Sequence, residues 1–232
     1  MYARFKIVGI GLVIAGVAFM GVGGYTYAKT QQGAEALNAF SAAQNVKLSY
    51  NDQGQLTDRG ETEGAAAIMS LLQNDWGYTV DPSELNPNDP VVNTASEYMY
   101  QMATIAYHTL HGTQTVVLPE DVTAADGTVY KAGTYEVPVA GRYWSQFDRT
   151  NPIDAKVREQ AWTGTAHALI AELGVGSVTA SALQMGLGIA ALAAALGAVL
   201  LLAGIGIVWA ARPLTVAETE KATKPVAATI TA

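Results

Sequence analysis

Three histidines are the residues of this sequence best suited to hold a metal ion or to move a proton near neutral pH. His108 and His111 are three positions apart in a segment with helical periodicity, so they occupy neighbouring positions on one helix face. With His167 they could form a three-histidine zinc site, and with one carboxylate a two-histidine iron site. The candidate carboxylates are Glu97, Glu159 and Glu172. The His-Glu-x-x-His pattern is absent, so we expect no metal and interpret the pair as polar residues near a helix C-terminus, which favours histidine.

Other catalytic chemistry has little support. The 232 residues include no cysteine, which excludes disulfides, thiolate metal ligands, covalent haem attachment and a thiol nucleophile. No serine lies in a Gly-x-Ser-x-Gly or Ser-x-x-Lys pattern, and no phosphate-binding loop is present. The sequence therefore predicts a protein that is not an enzyme and holds no cofactor.

A cluster of aromatic and cationic residues is the strongest candidate for binding a partner. Interface cores are enriched in tryptophan, tyrosine and arginine. The same composition is typical of a plain domain core beside an aromatic belt at a membrane surface, and both interpretations remain open. The candidate interface residues are Arg142, Tyr143, Trp144, Phe147 and Trp162.

Two apolar segments must position these groups. Residues 183–211 hold no charge and no proline, and they exceed the roughly 20 residues that a helix needs to cross a bilayer. Residues 7–24 are also uncharged and follow Arg4 and Lys6. This first segment could be a cleaved signal peptide, but its apolar core is long and Tyr25 and Tyr27 suit a membrane interface, so we favour a retained helix.

Small residues recur along both apolar segments. Gly9, Gly16 and Gly23 are seven residues apart, and Gly11, Ala15 and Ala18 form a second stripe. Small residues allow helices to approach closely in lipid, although such patterns also arise from composition alone. The predicted helix-packing residues are Gly9, Gly16, Gly23, Gly186, Ala190, Ala193 and Gly197.

The charge distribution predicts the orientation. The formal net charge is −7, and residues 29–182 hold 18 of the 20 acidic but only 8 of the 13 basic residues. Basic residues flank the outer ends of both apolar segments, so the positive-inside rule places both termini in the cytoplasm and the acidic middle outside. We therefore predict a two-pass protein of the cell membrane whose partners are the lipid bilayer and integral membrane proteins. An acidic middle argues against nucleic acid as a partner.

The predicted fold is an α+β membrane protein in which two transmembrane helices flank a mainly helical extracytoplasmic domain with a small antiparallel β ribbon. We assign the first transmembrane helix to 1–28, the domain to 29–180, the second transmembrane helix to 181–211 and a disordered cytoplasmic tail to 212–232. Within the domain, residues 29–44 continue the first helix, and the dipeptide Asp126-Gly127 predicts a hairpin turn within a ribbon or three-stranded meander.

Cap residues predict three further helices in the domain. Thr57 or Asp58 should begin a helix that ends at Asp75. Asn88 or Asp89, followed by Pro90, should begin a central helix that reaches about His111. Asn151 and Pro152 should begin a third helix, which reaches Leu173 and is ended by Gly174 and Gly176.

Two stretches carry a resemblance to a known family. They read NDPVVNTASEYMYQMATIAYHTLHGTQTVVLPEDV and AGTYEVPVAGRYWSQFDRTNPIDAKVREQAWTGTAHALIAELGVG. With the layout of helix, domain and helix, they resemble the accessory membrane subunits of actinobacterial respiratory cytochrome bcc–aa3 supercomplexes, of the prokaryotic respiratory supercomplex association factor type. The resemblance implies a structural subunit of an electron-transport assembly, with no cofactor of its own and with cytochrome bcc or aa3 oxidase subunits as partners.

The leading hypothesis is thus a non-catalytic accessory subunit that packs on larger membrane subunits and covers their outer face. Two alternatives remain open at this point: an extracytoplasmic metal-dependent enzyme that uses His108, His111 and His167, and a cell-envelope binding or sensor module.

Overall fold

Two long apolar helices begin and end the structure, a computed structural model that describes residues 2–212. Helix α1 is Tyr2–Gln44 and helix α5 is Gly164–Ala210. Each contains an 18-residue window of high mean hydropathy, 2.2 in α1 and 2.6 in α5. Both are long and apolar enough to cross a membrane, which makes the chain compatible with a membrane protein. The predicted tail lies outside the described residues from position 213 onward.

The chain divides into two compact units. The helix pair consists of Met1–Gln32 and Met185–Ala232, and the central unit is Gly33–Gln184. Helices α1 and α5 contribute residues to both units.

Glycines bring the two helices of the helix pair into close antiparallel contact. A Cβ on Gly16 would lie 2.7 Å from the carbonyl oxygen of Gly197, and one on Gly23 would lie 2.9 Å from that of Ala190. Gly9 meets Gly204 in the same way, at 2.9 Å. Each contact is closer than a real Cβ tolerates, so only glycine permits this approach. The seven-residue spacing returns to one helix face every two turns, which explains why these three positions share a partner.

The remaining predicted packing residues lie along α5. Gly186 faces Thr30, whose hydroxyl oxygen would be 2.6 Å from an added Cβ. Ala190 is buried and Ala193 is half-buried, and the backbone atoms closest to Gly23 come from Ala190 and Ala194 and not from Ala193. Gly11, from the second predicted stripe, has no atom within 4 Å of a Cβ position and faces away from α5.

Helix α3 (Ala95–Leu110) is the centre of the central unit, as its apolar circumference predicts. Ala103 packs with Ile68 and Leu72 in one hydrophobic cluster, whereas Leu110 belongs to a second cluster with Val116. One helix therefore supports both clusters. The shorter helical elements are α2 (Thr62–Ser70), a π-helical turn (Leu71–Asp75), a 3₁₀ turn (Pro82–Glu84), α3 (Ala95–Leu110), a 3₁₀ turn (Trp144–Gln146) and α4 (Pro152–Ala161).

The described residues 2–212 include six short strands: β1 (Ser49–Tyr50), β2 (Leu56–Thr57), β3 (Thr113–Leu118), β4 (Val122–Thr123), β5 (Val129–Tyr130) and β6 (Gly133–Pro138). They pair as three two-stranded antiparallel sheets, β1–β2, β3–β6 and β4–β5. The predicted hairpin turn joins β4 to β5, and Gly127 adopts a φ of +86° there. The ribbon is not a three-stranded meander, because β6 pairs with β3 instead of β5.

Two predicted helix starts are wrong because the chain there pairs as strand. The segment at Pro90 is extended, since its carbonyl accepts from the amide of Leu48, and α3 begins only after Thr94. Thr57 belongs to β2, so α2 begins after Glu61. At Pro90 a hydrogen bond to a distant segment overrides the local cap signal, and at Thr57 the pairing with Ser49 in a short hairpin does so.

The predicted helix end at Gly174 and Gly176 is also wrong, because α5 continues through both glycines. A Cβ on Gly176 would lie 2.6 Å from the ring of Tyr98, so this glycine makes room for an aromatic side chain. The actual break lies at Trp162, between α4 and α5, where the side chain of Thr163 accepts from the amide of Ala166 and caps α5.

Candidate partner interface

Arg142 is the residue that organises the predicted interface. Its Nη1 donates to both carboxylate oxygens of Asp154 at 2.9 Å, and its Nε donates to the carbonyl of Val139 at 3.0 Å. The guanidinium also lies over the ring of Phe147, 4.3 Å from the ring centroid. These contacts satisfy most of its donors, so Arg142 positions the following residues and is not free to bind a partner.

The next two side chains are presented to solvent. Tyr143 is 38% exposed and Trp144 is 39% exposed, and both lie at the start of the 3₁₀ turn Trp144–Gln146. A tryptophan and a tyrosine side by side on a surface supply large contact area at little cost in side-chain entropy.

Each exposed ring is supported from behind. Tyr143 stacks on Trp162, with centroids 5.7 Å apart, and its hydroxyl accepts from Nε1 of Trp76 at 2.9 Å. Trp162 is only 5% exposed and donates through Nε1 to the carbonyl of Arg142. Trp144 packs edge-on against His167, with ring centroids 5.2 Å apart. The exposed pair is therefore held in one conformation before any partner arrives.

Arg158 adds a cation to this surface. Its guanidinium lies 4.1 Å from the centroid of Trp144, and its Nε is buried without a hydrogen-bond partner among residues 2–212. A guanidinium over an aromatic face is attractive, so Arg158 also helps to hold Trp144 in place.

The five predicted interface residues thus divide by role. The structure brings all of them together, with Phe147 and Trp162 buried as support, Arg142 as the organising residue, and Tyr143 and Trp144 exposed. Sequence reasoning missed three members of the cluster. Arg158 lies four positions before Trp162 and could have been found. No helical spacing relates His167 to Trp162, because a helix break separates them, and Trp76 is distant in sequence. The missed members are Trp76, Arg158 and His167.

The three histidines make separate contacts. His108 pairs through Nε2 with Asp58 Oδ1 at 2.9 Å, and His111 bonds through Nδ1 to the carbonyl of Tyr107. His167 packs between Trp144 and Trp162. In the described part of the chain no three His, Asp or Glu side chains come together as metal ligands.

A buried carboxylate caps the central helix. Glu97 is 1% exposed, and its Oε2 accepts from the amides of Asn93 and Thr94, each at 3.0 Å, while Thr94 closes the reciprocal capping box. Burial raises the pKa of Glu97 despite these hydrogen bonds. Burial, with the nearby charge of Glu97, also raises the pKa of Tyr50 to about 12. This arrangement is structural, because the carboxylate completes a helix end.

No protein family, curated protein or solved structure matches this chain. Function must therefore be inferred from the contacts of its own residues. Stacked aromatic rings and two arginines provide a rigid, cationic and aromatic surface, which is the composition of protein-binding hot spots.

Proposed function

We propose that this chain is a two-pass protein of the cell membrane, with both termini in the cytoplasm and the central unit on the outer face. The antiparallel contact of Gly9 with Gly204 supports this topology, because it brings Arg4, Lys6 and Arg212 to the same end of the helix pair. Positive charge concentrated at one end of two apolar helices is typical of a cytoplasmic end.

Within that membrane the chain acts as a non-catalytic accessory subunit of a larger complex. Its central unit covers the outer face of integral membrane subunits and docks through Tyr143 and Trp144. The resemblance noted in the sequence favours a respiratory bcc–aa3 supercomplex as that assembly. The observation that carries the proposal is the exposed Tyr143–Trp144 pair, held rigid by Trp162, Trp76 and His167.

Rigid support is the reason to favour docking over a plain domain surface. An exposed ring that is already fixed loses little conformational entropy when a partner covers it. A pre-ordered aromatic anchor of this kind contributes about 2 kcal/mol or more to binding, which corresponds to roughly 30-fold in affinity.

Co-purification tests the proposal. The tagged full-length chain is extracted from membranes in a mild detergent, and its partners are quantified by mass spectrometry. We expect recovery with integral membrane subunits, and a loss of at least about tenfold in their yield for Trp144→Ala. The matched control is Phe40→Ala, which removes a 46% exposed aromatic outside the cluster and should leave the yield unchanged.

Circular dichroism of each variant separates loss of docking from loss of folding. Recovery of the wild-type chain alone, at full yield, would overturn the proposal. So would an equal partner yield for folded Trp144→Ala and wild type.

A further inference from the structure

A long apolar groove runs along the helix pair towards its charged end. It has a volume of about 530 Å³ and is lined by Val13, Leu202 and Gly206, with Arg212 contributing where α5 has ended. A Cβ on Gly206 would meet nothing within 4 Å, so this glycine leaves the wall of the groove open instead of admitting the other helix. This volume falls within the range of small-ligand sites.

A second cavity adjoins the groove at the same end. Its volume is about 330 Å³, and Tyr2, Lys6 and Arg212 line it. Arg212 and Val208 line both cavities, so the two are adjacent. We call the two together the channel: an open apolar groove with two cations lining one end.

The two cations have no acidic partner in the described chain. The salt bridges found among residues 2–212 join other residues, and neither Lys6 nor Arg212 donates a side-chain hydrogen bond there. A cation beside apolar surface needs a counter-ion, and a phosphate accepts from both an arginine and a lysine.

We propose that this channel binds one anionic phospholipid, with its phosphate between Lys6 and Arg212 and an acyl chain along Val13, Leu202 and Gly206. The proposal rests on the membrane insertion proposed above. The apolar groove and the two cations together favour a diacyl lipid, because a free phosphate would bind the cations and leave the groove empty. They also favour an anionic over a zwitterionic headgroup, since the latter brings its own cation.

Lipid competition tests the site. The full-length chain, stripped of lipid in detergent, is given equal amounts of dioleoylphosphatidylglycerol and dioleoylphosphatidylcholine, which share the same acyl chains. Native mass spectrometry then counts the lipid that each protein retains. We expect the anionic lipid to be retained in about tenfold excess. Glycerol phosphate, which carries the headgroup chemistry without the chains, should not displace it.

Two pairs of variants test the charge of the site and the shape of its groove separately. Lys6→Gln combined with Arg212→Gln should abolish the preference, whereas Arg4→Gln, which removes a cation outside both cavities, should keep it. Gly206→Leu should fill the groove and lower retention of both lipids. Its control is Gly188→Leu, at another glycine with open space around its Cβ position, and it should have no effect.

The outcomes distinguish this site from the proposed membrane insertion. A chain that alkaline carbonate washes out of membranes would refute insertion itself. A chain that stays in the membrane but retains both lipids equally, or keeps its preference in the double variant, would refute only the lipid site. Displacement by glycerol phosphate would identify a phosphate site in place of a lipid site.

Discussion

Glu97 caps a helix with a carboxylate that is also buried, and the burial raises its pKa. As the last member of a capping box, its carboxylate accepts from the amides of Asn93 and Thr94 and starts α3. As a group that is almost fully buried, it loses hydration, and the desolvation outweighs the hydrogen bonds in setting the pKa. Asp89 adds repulsion in the same direction.

Glu97→Gln should therefore change the pH dependence of stability. Because the folded pKa is raised, the stability contributed by Glu97 is complete below its ordinary pKa of 4.5 and is lost as pH rises through the raised value. Glutamine keeps an acceptor for the same amides and carries no charge. We expect the stability of the variant relative to wild type to increase as pH rises above 4.5.

Chemical unfolding of the full-length chain at a series of pH values measures this difference. Glu159→Gln, which changes an exposed glutamate on α4, is the control and should follow wild type. Exposed aspartates with lowered pKa values make the folded protein less stable as pH falls, but this effect is the same in wild type, Glu97→Gln and Glu159→Gln. They are Asp81, Asp121, Asp126 and Asp148. Parallel curves for wild type and Glu97→Gln would contradict the interpretation.

The clustering of the candidate interface residues could be predicted from sequence, but the orientation of their side chains could not. Arg142, Tyr143, Trp144 and Phe147 are close in sequence, so their shared location follows from one short segment. Which rings face outward depends on Trp162 and Trp76, and Trp76 comes from the far end of a π-helical turn. Composition alone cannot specify a contact between such distant segments.

At the scale of elements, the glycine spacing of α1 predicted a packing face but not its partner. Gly9, Gly16 and Gly23 face α5 of the same chain, so this stripe closes the helix pair and is occupied before any other subunit binds. Helix boundaries were predicted less well. Thr94 and Glu97 form a capping box, but the upstream proline signal led to a helix start that was predicted too early. Gly176 resembles a helix end in sequence, whereas in the structure it makes room for the ring of Tyr98.

Gly16→Val should loosen the helix pair. Its Cβ would lie 2.7 Å from both the Gly197 carbonyl oxygen and the Leu201 amide nitrogen, so the two backbones must move apart. We expect a loss of about 1–3 kcal/mol, typical of overpacking, measured by unfolding the full-length chain from mild detergent into SDS. Gly11→Val is the matched control, because Gly11 has open space around its Cβ position. Equal losses in the two variants would show that valine harms α1 through its helix propensity and not through this contact.

At the scale of the whole molecule, two surface compositions divide the sequence. The helix pair exposes large apolar side chains over most of its surface, whereas residues 29–182 carry nearly all of the acidic groups. Exposed leucines, isoleucines and valines at this density are unfavourable in water and favourable in hydrocarbon. This division could be predicted from the length and composition of α1 and α5, because it does not depend on contacts between distant residues or on strand register.

The proposed topology makes one decisive prediction for intact cells. Because the natural chain has no cysteine, a single introduced cysteine reports its own location without background. Asn88→Cys changes an exposed loop residue of the central unit, and Ala3→Cys changes an exposed residue at the first turn of α1. A membrane-impermeant maleimide should label Asn88→Cys in intact cells and Ala3→Cys only after the membrane is opened, because the basic end of the helix pair stays inside. The reverse pattern would invert the orientation, and equal labelling of both sites before lysis would mean that the helix pair does not separate two compartments.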